Sequence, residues 1–180
     1  DFTALKARVS DKIPPEVMKR IDAIEAQVNA IPQDIGKYGI CHGDFHMNNF
    51  FVEENNIWVF DFDGCAYADY LYDVASFVQA CFLHGYGAGK DLRQVMNDDI
   101  LHYFRIGYEL NKKCDEHFWD NLELFIAYRT AVTYMSLCEI DNIGVVDNTE
   151  KIKQFFSYII SCDDVMGAMT AAMKNAGGLI

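Results

Sequence analysis

The chain has 180 residues, 51% hydrophobic and 14% aromatic with only three prolines, a composition that packs one domain and leaves no stretch biased toward disorder. Its 27 acidic residues against 15 basic ones leave a net charge of −12, which excludes the clustered Lys and Arg of a nucleic-acid surface and suits a cationic small molecule better than an anionic one. Six cysteines without a C-x-x-C pair disfavour a zinc site or disulfide framework, and no run approaches the roughly 18 apolar residues of a membrane span, so the reading is a reduced, cytoplasmic protein.

In chain order, the first predicted element follows Pro14-Pro15, where Val17, Ile21, Ile24, Val28 and Ile31 recur at helical spacing until Pro32 stops them. From Tyr38 the period shortens. "YGIC" reads as a strand, and "NNFFVEENNIWVFDFD" as two strands around the turn-forming Glu54-Asn55-Asn56, a hairpin from about Phe50 to Asp61. Strands are expected to stop near Asp63. Helices are predicted near Tyr70 to Leu83, Leu92 to Asn111, Phe118 to Ile140 and Thr149 to Lys174. "GYGAGKD", Gly85 to Asp91, imitates a phosphate loop, but His84 and Asp91 stand where that pattern needs Gly and Ser or Thr, so it reads as an inter-helix loop. His84, His102 and His117 have no ligand partner at helical spacing and read as surface or core residues, and Met166, Met169 and Met173 as core packing.

Two phosphate chemistries compete for "VFDFDG", in which an apolar strand runs into Asp61 and Asp63. A phosphatase of the haloacid dehalogenase type would use Asp61 as nucleophile and Asp63 as acid. A kinase would use the strand-end Asp to hold magnesium beneath the nucleotide phosphates. The segment that decides lies upstream. "HGDFHMNN", His42 to Asn49, has the spacing His-x-Asp-x-x-x-x-Asn, in which the Asp meets an acceptor hydroxyl and the Asn turns back to hold magnesium beside the strand-end Asp. Asp61 follows Asn49 by twelve residues, just enough for a tight hairpin. The phosphatase would need further strands after Asp69, and the sequence there is helical.

These residues, with "YDVA" at Tyr72 to Ala75, resemble the catalytic core of the aminoglycoside phosphotransferase and choline kinase family. The likeness is close over residues 39 to 80 and weaker through "YFRIGYEL" and "FIAYRTAVTYMSL", where it leans toward the bacterial homoserine-kinase-like and spore-coat-protein-like branch. Met47 departs from the usual Pro without removing a chemical group. The resemblance implies a protein-kinase-like fold, mainly α with a small β hairpin, and an ATP- and Mg2+-dependent phosphotransferase acting on a hydroxyl of a small molecule such as an aminoglycoside, choline or homoserine. It makes Asp44 the catalytic aspartate, with His46 near the transferred phosphoryl group. Asn49 and Asp61 become the metal and nucleotide ligands, with Asp63 an outer contributor. His42 and Asp73 become structural supports. Asp69, Glu109 and Glu139 are candidates to meet an amine on the acceptor.

Kinases also need an ATP-covering lobe of roughly 100 residues with a glycine-rich loop and a strand Lys. Only about 38 residues stand ahead of "YGIC", and the chain starts at Asp1. The expectation is therefore a single domain over residues 1–180, the carboxyl-terminal lobe of a longer kinase, inactive alone and exposing an apolar face open to self-association. The alternative is a kinase-like module kept for binding or regulation.

Overall fold

The computed structural model describes residues 2–34, 36–83, 100–112, 117–140 and 149–176. Two helices come first, α1 (Phe2–Val9) and α2 (Pro15–Asn29). Pro15 sits in the first turn of α2, where its fixed φ suits the helix and its missing N–H goes unneeded, and Val17, Ile21 and Ile24 form the buried stripe. Four short strands follow: β1 (Tyr38–Cys41), β2 (Phe50–Glu53), β3 (Asn56–Val59) and β4 (Ala66–Asp69). β2 and β3 form the expected hairpin, Phe50 opposite Val59 and Glu53 opposite Asn56, with Glu54 left-handed in the turn at φ 54°. A 3-10 turn over Phe62–Gly64 then leads into β4, which returns antiparallel to β1 with Tyr38 opposite Asp69 and Cys41 opposite Ala66.

The helical remainder comprises α3 (Leu71–Leu83), α4 (Ile100–Asn111), α5 (Leu122–Glu139), α6 (Thr149–Ser161) and α7 (Val165–Ala176). α5 is the hub. Leu122, Phe125, Ile126, Ala127, Thr130, Ala131, Tyr134, Met135 and Cys138 bury it on most sides, and it touches α1, α2, α3, α6 and α7. Its junction with α3 carries a polar bolt: the buried Gln79 amide donates to Thr130 Oγ1 at 3.0 Å, and Thr133 Oγ1 donates to Gln79 Oε1 at 3.1 Å. Such a pair fixes how the two helices align, because a slip would strand both groups in an apolar interior.

The fold differs from the sequence reading in three places. Strands do not stop at Asp63, since β4 follows; its four residues "AYAD" are too short and too plain to signal a strand without the β1 partner that gives their backbone its hydrogen bonds. The helix expected from Thr149 to Lys174 is two helices. Asp164 begins α7, accepting the Gly167 N–H on Oδ1 at 2.8 Å, and this cap breaks a chain whose apolar spacing runs on across it. α1 carried no sequence expectation at all. The segment Gly85 to Asp91 and the start of the helix predicted from Leu92 lie outside the described residues.

Both two-stranded ladders are antiparallel, so the described residues offer none of the parallel sheet on which the phosphatase reading depends. The hairpin packs on one side only, through Phe50, whose ring lies 5.4 Å from Phe45 and 6.4 Å from Phe77. Phe51 and Trp58 on the opposite face, and Val52 and Ile57 further along the Phe50 face, are each more than half exposed, as is Phe62 in the turn that follows.

Candidate active site

The loop from His42 to Asn49 joins β1 to β2, and its shape is set by one carboxylate. Asp73, in the first turn of α3, accepts the backbone N–H of His42 on Oδ2 at 2.7 Å and that of Gly43 on Oδ1 at 2.8 Å. Those two bonds turn the chain sharply at Gly43, which sits at φ +82°. A side chain there would be strained, and a Cβ would meet the Gly64 carbonyl oxygen at 1.9 Å. The catalytic loop and the turn after Asp61 therefore touch backbone to backbone.

His42 ties the same loop to the hairpin. Its Nδ1 accepts the Asp44 N–H at 3.3 Å, which puts the ring proton on Nε2, and Nε2 donates to the Phe60 carbonyl at 2.9 Å. His46 has the same tautomer: Nδ1 accepts the Asn48 N–H at 3.2 Å, and Nε2 lies 3.3 Å from Asp44 Oδ2. Asn49 is buried, and its Nδ2 donates to the Asp44 carbonyl at 2.9 Å. Its Oδ1 accepts nothing from the described residues and is the atom left for a cation. Phe60 N–H closes the hairpin back onto the Asn49 carbonyl at 3.0 Å, bringing Asp61 to the loop.

Asp61 is one of two non-glycine residues described with positive φ, left-handed at φ 65°, ψ 60°. That conformation costs a residue with a Cβ about 1 kcal/mol or more. Neither the Asp61 nor the Asp63 carboxylate accepts a hydrogen bond from the described residues, and no cluster of three His, Cys, Asp or Glu side chains forms among those residues. One amide oxygen with one or two unpaired carboxylates is a sparse, hard-oxygen set, which fits a small cation that keeps most of its shell for water and phosphate oxygens, as magnesium does.

Arg129, from the middle of α5, went unnoticed in the sequence. One terminal nitrogen pairs with Asp44 Oδ1, and the other donates to the Gly43 carbonyl at 3.0 Å and to Tyr72 Oη at 3.3 Å. Burial works against its charge, yet Tyr72 and Asp44 more than offset it and its pKa is raised. The available signal was a lone basic residue inside "FIAYRTAVTYMSL", an otherwise apolar or neutral run.

A cleft of about 950 Å³ opens beside Asp44, Asp61 and Asp63, walled by α1, α2, β4 and α5. Aromatic rings line it (Tyr38, Tyr67, Tyr72 and Tyr128), as do the carboxylates of Glu25, Asp44, Asp61, Asp63, Asp69 and Glu139 against the guanidinium groups of Arg8 and Arg129. Of the three acidic residues singled out for an amine, Asp69 lies in the cleft; burial pushes its carboxyl up, opposed by the Leu71 N–H it accepts at 2.9 Å and by Lys37 and Lys112. Glu139 also reaches the cleft, but Arg8 pairs with it and holds its carboxyl below the usual range. Glu109 is elsewhere, bonded to Arg105 and to Trp119 Nε1.

With this geometry established, the family model of the phosphotransferase enzyme family (APH) matches residues 2–109, more than half of the chain. The chain belongs to that family. Among curated relatives, amicoumacin kinase of Bacillus subtilis (strain 168) is 21% identical over 136 residues, 76% of this chain and 40% of the relative. An uncharacterised protein of Synechocystis is 36% identical over 66 residues, 36% of this chain and 18% of the relative. Among solved structures, the amicoumacin kinase hAmiN in complex with AMP-PNP, Ca2+ and Ami superposes with a TM-score of 0.70 at 20% identity, covering 83% of this chain and 46% of that one. A choline/ethanolamine kinase family protein from Mesorhizobium loti gives 0.59 at 14% identity, covering 94% and 58%. These likenesses show the fold. The chain thus spans less than half the length of the amicoumacin kinases it matches.

Proposed function

We propose that the complete protein transfers the terminal phosphoryl group of ATP to a hydroxyl of a small, amine-bearing molecule. One observation carries this reading: a loop pinned by Asp73 sets Asp44 against the buried Asn49, brings Asp61 beside them through the hairpin, and opens Asp44 and Asp61 onto an acid-lined cleft. Asp44 accepts the hydrogen bond of the acceptor hydroxyl and takes its proton as the new P–O bond forms and the bond to the ADP oxygen breaks. Asn49 Oδ1 and Asp61 would hold magnesium, with Asp63 an outer contributor. When bound, the ion neutralises the phosphate charge that builds up. The protein supplies positioning and charge rather than covalent chemistry. Six carboxylates against two guanidinium groups in the cleft favour a cationic acceptor.

The described residues form the lower lobe of a two-lobed kinase in this reading, and further residues of the same polypeptide cover the hairpin and the nucleotide. Support comes from the one-sided hairpin, with Trp58 52% and Ile57 63% exposed, and from relatives more than twice as long as the matched part.

The test is ATP consumption by the complete protein against a panel of hydroxylated amines, with choline and aminoglycosides among them. Asp44→Ala is expected to lower kcat by roughly 100-fold or more with little change in the KM for ATP, and Asp61→Ala to raise that KM. A wild type that consumes no ATP with any acceptor, or an Asp44→Ala variant that turns over normally, would overturn the proposal.

A further inference from the structure

We propose that Arg129 is a positioning residue for phosphoryl transfer, holding Asp44 through Oδ1 so that Oδ2 is the atom that receives the acceptor hydroxyl. The inference rests on the phosphotransfer reading above and assigns a role to a helix outside the loop and hairpin that define the site.

The geometry divides the Asp44 carboxylate between two partners. Arg129 takes Oδ1, and among the described residues Oδ2 has only the His46 Nε2 proton at 3.3 Å, a long contact that an incoming hydroxyl can share or displace. The same guanidinium grips the Gly43 carbonyl at 3.0 Å, while Asp73 grips the Gly43 N–H at 2.8 Å. The peptide units on either side of Gly43 are therefore held by opposite charges from two helices, α5 and α3. A planar fork achieves this where a single point charge does not, because one nitrogen must reach a carboxylate and the other a carbonyl in fixed register.

Stability alone does not account for Arg at this position. Its Nε is buried with no acceptor, and an orphaned N–H on a desolvated cation is unfavourable. A buried ion pair is often no better for stability than apolar side chains of similar volume. Ile126, Ala127, Thr130 and Ala131 on the same helix are fully packed and carry no charge. The charge is spent on the one carboxylate that a phosphoryl acceptor must meet. It also offsets repulsion between Asp44 and the arriving phosphates, which would otherwise add to that of Asp61 and Asp63.

The experiment is a double-mutant cycle in the complete protein, read as phosphate release from MgATP with water as acceptor and as transfer to whichever amine the panel selects. Arg129→Ala is expected to lower kcat roughly 10- to 100-fold, the range for losing hydrogen bonds to a charged group, and to leave the KM for ATP unchanged. Because Arg129 acts through Asp44, adding Arg129→Ala to Asp44→Ala should cost little beyond Asp44→Ala alone. Guanidinium chloride at low millimolar levels should restore part of the turnover of Arg129→Ala and none of Asp44→Ala. If Arg129→Ala loses its cooperative melt, Arg129→Lys and Tyr72→Phe carry the test, each expected to lower kcat several-fold with the melting temperature retained. Wild-type kcat in Arg129→Ala, or losses that simply multiply in the double variant, overturn the inference while the phosphotransfer reading stands. A wild type that transfers to nothing overturns both.

Discussion

The thiols of Cys41 and Cys81 are set by what surrounds them. Burial, helped by the charges of Asp73 and Asp69, pushes Cys41 up to about 12, and burial alone pushes Cys81 to about 11, from an ordinary value of 9.0. Cys41 Sγ donates to the carbonyls of Ala68 and Asp69, so the neutral thiol is the form the fold uses. The sign follows directly. A folded-state pKa above the unfolded one means that the stabilisation is complete below pH 9 and is lost as the pH rises toward 11 and 12. Thermal midpoints are expected to fall over that range, and to fall less in the Cys41→Ala/Cys81→Ala double variant; parallel curves would show that other groups dominate. Below pH 9 iodoacetamide should label the exposed Cys65 well before either of these.

At the scale of elements, the site depends on a backbone contact between two loops. Gly43 and Gly64 touch so closely that Gly43→Ala has to break either the φ +82° turn or the contact with the Gly64 carbonyl. The variant is expected to lose about 1–2 kcal/mol or more of stability, from the left-handed strain alone, and nearly all turnover, checked by a melt and by ATP consumption. This contact also marks the limit of what the sequence reveals. That Asp44, Asn49 and Asp61 come together is legible because the phosphotransfer pattern sets fixed residue types at fixed spacing, the bracing by Asp73 because the family resemblance implies it, and the hairpin because Asn49 and Asp61 leave room for nothing longer. β4 is not, since its stability lies in β1 rather than in "AYAD". Nor is the break before α7, because Asp164 acts through its cap while the apolar rhythm of Val165, Met166 and Met169 continues that of Phe156, Ile159 and Ile160. Arg129 reaches Asp44 across 85 positions of sequence, a distance over which no local pattern speaks.

For the molecule as a whole, the deciding asymmetry is between a lower core closed around α5 and an upper hairpin whose apolar side meets solvent. If they form the lower lobe, as proposed above, the 180 residues alone should bind MgATP weakly, because the covering Lys, the backbone amides over the phosphates and the upper wall for adenine would belong to the other lobe. Calorimetric titration checks this, and tight magnesium-dependent binding by these residues alone would contradict it. The polypeptide isolated from its natural source is expected to exceed 20.5 kDa by roughly 10 kDa, the size of an upper lobe. Without a covering lobe, the exposed hairpin side chains Phe51, Val52, Ile57 and Trp58 should drive self-association, visible as a concentration-dependent sedimentation coefficient.

The left-handed backbone of Asp61 places a wager on the use of its carboxylate. Glycine would sit there with less strain, so Asp61→Gly should melt at a higher temperature than the wild type while losing the magnesium affinity proposed for this carboxylate. Over many generations, a descendant relieved of catalysis would gain by drifting to glycine at this position. Relatives that keep the His42-to-Asn49 loop but carry glycine at this corner are the ones expected to have retired from chemistry.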